Sequence, residues 1–142
     1  MKQYHLDIIT PVRNAYSSDV EFVSVPTEMG TVGVLPRHVG LFSALSEGEI
    51  KIKTKEKEMF LAIGGGFMEV RDTGVTLLVS RAFHADELNE AEIKKAQEAA
   101  KDAIAQKTSA QEVSQAYSLL RRSFIEMKVL RRYRIKHTQT LS

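Results

Sequence analysis

The chain has 142 residues, 43% of them hydrophobic and 27% charged, with a formal net charge of +2. These values fit one ordinary globular domain, or one compact domain with an appendage, and exclude disordered and collagen-like classes. The absence of cysteine excludes disulfide scaffolds, thiolate metal sites and cysteine nucleophiles, and makes a reducing compartment the default expectation.

All eight glycines and all three prolines fall before residue 75, so the chain divides into a punctuated half and an unpunctuated one. Gly and Pro separate short strands and turns, and their absence permits long helix. In the first half, strand-like runs are predicted at 3–9, 20–25, 31–35, 40–45, 49–54, 58–63, 66–71 and 75–81. Ile50 and Ile52 alternate with Lys51 and Lys53, and Val20 to Val25 and Val75 to Val79 are rich in β-branched residues; both are strand signatures. Pro26 is read as a strand end, Glu47-Gly48-Glu49 as a lead-in, and Asp72-Thr73-Gly74 as a hairpin turn. With so many short strands and no helix to make a crossover, the pattern predicts an antiparallel sandwich or flattened barrel. Gly64-Gly65-Gly66 lacks a following helix and a P-loop lysine, so it reads as a bulge, tight turn or close backbone contact and not as a phosphate cradle.

From Ala85 the period becomes helical. Asp86 is read as an N-cap, and Leu88, Ala91, Ala96, Ala99, Ala100, Ala103 and Ile104 give a first helix to about Gln106. Ser109 and Glu112 form a capping-box pattern, from which a second helix runs to about Lys136 with a stripe of Val113, Ala116, Tyr117, Leu120, Phe124, Met127 and Leu130. Tyr117 and Phe124 are read as core. The short link predicts an antiparallel helical hairpin. Residues 86–112 carry a balance of −3 and residues 113–142 one of +6, so the last helix is a basic rod. Two partners fit such a rod, an acidic protein groove or nucleic acid; the near-neutral first half and the lack of Trp favour the protein.

Catalysis has little to build on. His5, His38, His84 and His137 stand in separate contexts, and no nucleophile motif or helical metal pair is present. The expectation is a chain with no catalytic, cofactor or metal site of its own. No run approaches the roughly 18 apolar residues of a membrane span, and the stretch from Met1 to Asp7 has no signal-peptide core, so membrane association is expected only through a partner.

Several segments, in order, carry a likeness. Tyr4 to Pro11, then Gly33-Val34-Leu35-Pro36-Arg37-His38-Val39-Gly40-Leu41, then Gly65-Gly66-Phe67-Met68-Glu69-Val70 with Val75-Thr76-Leu77-Leu78, resemble the epsilon-subunit family of bacterial F-type ATP synthases, called delta in mitochondria. The resemblance spans essentially the whole chain. It implies a ten-stranded β-sandwich over residues 1–84 docked on the gamma subunit and the c-ring, and a regulatory helical hairpin over 85–142. It further implies a non-catalytic rotor subunit that couples c-ring rotation to gamma in a proton-translocating synthase and blocks ATP hydrolysis by inserting its helices among alpha and beta subunits. Its place would be the cytoplasmic face of the bacterial plasma membrane, with the thylakoid stromal face as the alternative.

The resemblance makes Thr31, Val34, Leu35, Pro36 and His38 candidates for the gamma or c-ring contact, and Arg121, Arg122, Lys128, Arg131 and Arg132 candidates for the inhibitory contact with an acidic beta-subunit segment. Gly40 replaces a usual Pro, and Thr31 replaces an acid found in some relatives, so contact through backbone and shape at residues 29–38 is expected instead of charge. Some relatives bind ATP through an I/L-D-x-x-R-A motif. The matching positions here are Leu88-Asn89-Glu90-Ala91-Glu92-Ile93, where Asn89 and Glu92 remove the needed Asp and Arg and argue against ATP binding.

Overall fold

A computed structural model describes residues 2–36, 40–106 and 109–141. The chain divides into two compact units, Met1–His84 and Ala85–Ser142.

The first unit is a β-sandwich of ten strands. In chain order they are β1 (Tyr4–Ile9), β2 (Asn14–Val20), β3 (Phe22–Thr27), β4 (Gly30–Val34), β5 (Leu41–Leu45), β6 (Gly48–Lys53), β7 (Glu58–Ile63), β8 (Gly66–Arg71), β9 (Gly74–Val79) and β10 (Ala82–His84). One sheet has the order β2-β1-β9-β8-β5 and the other β10-β7-β6-β3-β4. Period-two alternation places one side of each strand between the sheets. Ile50, Ile52, Val23 and Leu61 from one sheet, and Leu6, Ile8, Val75 and Leu77 from the other, are essentially fully buried. Cross-strand pairs such as Ile50 with Leu61 and Leu6 with Val75 build this core layer by layer.

Four strand expectations need correction. A single strand at 20–25 is really the end of β2, a corner at Glu21 and the start of β3; the Glu21 amide donates to the Lys53 carbonyl at 2.8 Å. Pro26 does not end β3. It pairs with Thr31 of β4 at a position where β3 no longer pairs with β6, whose register with β3 covers only residues 22–24, so the missing proline donor breaks no ladder bond. The expected all-antiparallel pairing also fails at one place: β1 and β9 run parallel through residues 5–9 and 74–78. The last strand expected at 75–81 is β9, which ends at Val79, and the short β10 follows beyond that range at Ala82–His84.

The glycine triplet acts through close approach. A Cβ on Gly66 would lie 2.0 Å from the Leu78 carbonyl oxygen, so only Gly lets β8 start this close to β9. Tyr4 donates its hydroxyl to the Val34 carbonyl at 2.7 Å, which ties β1 of one sheet to the end of β4 in the other.

The second unit starts with one 3-10 turn, Ala85–Glu87, followed by α1 (Glu90–Gln106) and α2 (Ala110–Leu141). Asp86 is not the α1 cap. Asn89 Oδ1 accepts from the Glu92 amide at 3.1 Å, so the residue that departs from the ATP-binding motif is the N-cap of the helix. The Ser109 cap stands as expected, with its hydroxyl accepting from the Glu112 amide at 3.1 Å. α2 continues five residues beyond the expected Lys136. The helices pack through Ile93, Met127 and Leu130, with Leu88 against them. Tyr117 and Phe124, expected in the core, are both about half exposed.

Candidate functional site

Two surfaces collect the candidate residues, one on each unit. On the sandwich, β4 is the edge of one sheet and β5 the edge of the other, and between them lies a groove of about 420 Å³. Its floor includes Val34, Met68 and Val70, and its walls include Met29, Val32, Leu35 and Leu41. Met29 stands at the tip of the β3–β4 turn, 94% exposed. The turn is fixed by Thr27, whose hydroxyl donates to the Gly30 carbonyl at 2.7 Å and accepts from the Met29 amide at 3.2 Å; Gly30 takes φ +107°, which favours glycine. Leu35 is 61% exposed. Exposed large apolar side chains gathered around a groove at a sheet edge mark a surface suited to a partner.

The candidate contact residues separate here. Leu35 and Pro36 are exposed, Thr31 is exposed on β4, and Val34 is buried in the core. Val34 therefore supports the loop from beneath, held through its carbonyl by Tyr4. Burial pushes the Tyr4 hydroxyl up to about 12. His38 lies outside the described residues. Met29 and Val32 fall within the expected contact range 29–38 without having been named, and Leu41 lies outside it, because the neighbourhood of β4 and β5 is a product of two different sheets.

The opposite sandwich edge, β2 with β10, is closed by polar links. Arg13 donates to the Ala82 carbonyl, and its guanidinium carbon lies 5.4 Å from the centre of the Phe83 ring. The His84 Nε2–H donates to the Ala15 carbonyl at 2.8 Å. Thr10 shapes the turn that presents Arg13, its hydroxyl donating to the Arg13 carbonyl at 3.0 Å and accepting from the Arg13 amide at 3.1 Å.

On the hairpin, α1 and α2 enclose a groove of about 340 Å³. Phe124, Met127 and Ile135 supply its apolar surface. Lys128, Arg131 and Arg132 of α2 and Lys94 of α1 supply cations, with Gln97 beside them. Of the five candidate inhibitory residues, then, three are brought together. The other two have local partners: Arg122 Nε lies 3.5 Å from Glu126 on its own helix, and Arg121 donates to the Ser118 hydroxyl at 3.1 Å. Lys94 and Gln97 were missed because only the pairing of the helices shows which face of α1 adjoins the basic face of α2.

A polar latch closes the same end of the hairpin. Arg134 Nη1 donates to Glu90 Oε2 at 2.8 Å, and Lys94 Nζ lies 3.3 Å from Glu90 Oε1. The Arg134 guanidinium first, then the Lys94 ammonium, hold the Glu90 carboxyl below its ordinary value. Among the described residues, no group of three or more His, Asp or Glu is placed to hold a metal ion, and no helix is long and apolar enough to cross a membrane.

Comparison with known proteins bears on both units. Residues 3–85 match the model of the ATP synthase Delta/Epsilon chain, beta-sandwich domain. The ATP synthase epsilon chain of Caldanaerobacter subterraneus is 37% identical over 93% of this chain and 96% of its own length. That of Chloroflexus aggregans is 36% identical over 96% of this chain and 98% of its own length. A chain in a structure of Euglena gracilis mitochondrial ATP synthase, OSCP/F1/c-ring, shares the fold, with a TM-score of 0.64 at 22% identity over 91% of this chain and 78% of that one. None of these relatives supports the nucleic-acid reading of the basic helix. The family match across the sandwich and the near full-length identity to these epsilon chains together establish that the chain belongs to the ATP synthase delta/epsilon chain family.

Proposed function

We propose that the chain is a non-catalytic central-stalk subunit of a proton-translocating ATP synthase. Its sandwich, over residues 1–84, docks on the gamma subunit and the c-ring and passes c-ring rotation to gamma. Its hairpin, over residues 85–142, restrains ATP hydrolysis when it opens and reaches the alpha and beta subunits. The chain sits at the cytoplasmic face of the bacterial plasma membrane, held there by the complex. The observation that carries the docking half is the open β4–β5 edge, where Met29 and Leu35 are exposed beside a groove. A large apolar side chain in water gains about 1.5–3 kcal/mol on full burial, so two such residues at one rim favour a partner over solvent. Residues Thr31 to Pro36 provide that contact by shape.

The regulatory half rests on weak closure. The apolar side of α1 is mostly Ala, and only Ile93 and Ala100 of that helix are buried. A closed state whose buried apolar contacts centre on Ile93, Met127 and Leu130 is displaced by a differential of a few kcal/mol from a partner that prefers the open one. Arg121, Arg122, Lys128, Arg131 and Arg132 then meet an acidic segment of the beta subunit.

The test is ATPase activity of the assembled complex with and without residues 86–142. Truncation is expected to raise hydrolysis, and reversing the charges of Arg121 and Arg122 to raise it partly. Unchanged hydrolysis in both would overturn the regulatory half. A full-length chain that fails to copurify with gamma and the c-ring would overturn the docking half.

A further inference from the structure

The hairpin groove is built jointly by both helices, which the inhibitory reading of α2 alone does not require. Among the described residues, four cations border it, Lys94 from α1, which also pairs with Glu90, and Lys128, Arg131 and Arg132 from α2, and no acidic side chain lines it. Phe124 and Ile135 flank it, 54% and 61% exposed. Eleven residues separate them on α2, roughly 16 Å at 1.5 Å per residue. We propose that the closed hairpin binds an acidic peptide segment of helical length that carries an apolar anchor, and that occupancy holds the hairpin closed.

The occupant follows from charge and shape. Cations bordering an apolar floor call for acidic groups around an apolar side chain, the pattern of an amphipathic segment laid in a groove. The length, three turns of α2, exceeds what a small anion spans. The groove also has a wall from each helix, so it suits a narrow segment better than a flat lipid surface.

The consequence concerns direction. Lys128, Arg131 and Arg132 belong to this groove and also to the set proposed to meet the beta subunit, so one molecule cannot use them in both ways at once. Only the closed hairpin adds Lys94 and Gln97. A segment that needs both walls favours closure by its differential affinity for the two states. This extends the proposed opening of the hairpin and opposes it, as a brake on inhibition.

The test uses the isolated full-length chain, so its outcome is independent of the ATPase assay. The natural sequence has no cysteine, so Ala91→Cys and Thr138→Cys give a unique pair for spin labels at the latched end of the hairpin. The probe is a synthetic peptide of roughly twelve residues, rich in Glu with two Leu, against a version with Gln in place of Glu. The expected result is saturable binding of the acidic peptide, a larger short-distance population on binding, and affinity weakened roughly tenfold by Lys94→Glu. Gln97→Glu, which leaves the Glu90 pair untouched, should weaken it in the same direction. Circular dichroism checks that both variants keep the hairpin. Binding indifferent to both variants, separation of the labels on binding, or capture of anionic vesicles or single-stranded RNA in place of the peptide would each overturn the proposal.

Discussion

The two edges of the sandwich are made from similar lengths of strand and end up with opposite character. At the β2–β10 edge, side chains of Arg13 and His84 reach across to the carbonyls of Ala82 and Ala15, so backbone groups that would face water or another chain are already engaged. At the β4–β5 edge, Met29, Leu35 and Leu41 stand exposed around a groove. An unpaired strand edge is a template for association, and proteins ordinarily blunt it. The difference teaches that one edge is finished within the chain and the other is left open, as the proposed docking requires.

The largest effect should come from charging the open edge. The double variant Met29→Asp, Leu35→Asp places two carboxylates on the β4 wall of the groove. Both positions are exposed, so unfolding free energy should move by less than about 0.5 kcal/mol per site. Binding to the partner that covers the groove should fall by more than about tenfold, since charges forced into a buried apolar contact are costly. Titration of the variant against a gamma and c-ring subcomplex, alongside urea unfolding of the free chain, separates the two quantities. A full-strength complex would show that this edge is no interface.

At the closed edge the same kind of change should act on stability instead. Arg13→Ala removes a charge-assisted bond to Ala82 and the stacking on Phe83. Because the guanidinium is partly in water, the expected loss is about 1–2 kcal/mol in urea unfolding. Association with the stalk should not change. A variant that unfolds normally but fails to associate would reverse the assignment of the two edges.

Much of this contrast was not legible in the sequence, for physical reasons. The alternation at Ile50 and Ile52 gave the buried side of β6 at once, since period two is a local property. Strand β2 was missed because the apolar residues of Asn14 to Asp19, Ala15 and Tyr16, are adjacent instead of alternating, so they leave no period-two signal although both pack against the core. The parallel pairing of β1 with β9 joins segments some 70 residues apart and leaves no local signal. The same limit hid the open-edge groove, whose walls come from β4 and β5 in different sheets. In the hairpin, Tyr117 and Phe124 share the helical stripe with Ala116, Met127 and Leu130, but they sit at its margin, and only the pairing with α1 shows that the margin faces water. The ATP-motif positions were legible, and Asn89 there serves as a cap.

A smaller change tests the strut beneath the open edge. Tyr4→Phe removes the bond to the Val34 carbonyl, at a cost of about 1 kcal/mol. The hydroxyl's ordinary value of 10.0 is raised to about 12 by burial. A folded value above the unfolded one means that the stability tied to the neutral phenol is complete below pH 10 and is lost as pH rises toward 12. Alkaline unfolding curves of the wild type should therefore carry a component in that window that Tyr4→Phe lacks. Coincident pH dependence would show that the phenol does not titrate with folding.

The smallest effect lies on the β1–β2 pair, next to the closed edge. His5 Nδ1 lies 3.1 Å from Asp19 Oδ1, and Nε2 lies 3.3 Å from Asp7 Oδ1 and 3.2 Å from the Ser17 hydroxyl, which donates to Asp7 Oδ1 at 2.6 Å. Both ring nitrogens face carboxylates, so the imidazolium satisfies the arrangement and the neutral ring, with one N–H, leaves one side without a proton. The hydrogen bond to Asp19 first, and with it Asp7, outweigh the opposing desolvation and raise His5 above its ordinary 6.5. The contribution is complete below about pH 6.5 and fades as pH rises through the higher folded value. The group is well exposed, so solvent and salt screen it heavily. Thermal unfolding from pH 5 to 8 should show a slight loss of stability in the wild type, a flatter profile in His5→Gln, and convergence of the two in high salt. Equal slopes at low salt would mean that the four side chains meet without coupling to folding, and the closed edge would then owe its stability to the links around Arg13 and His84 alone.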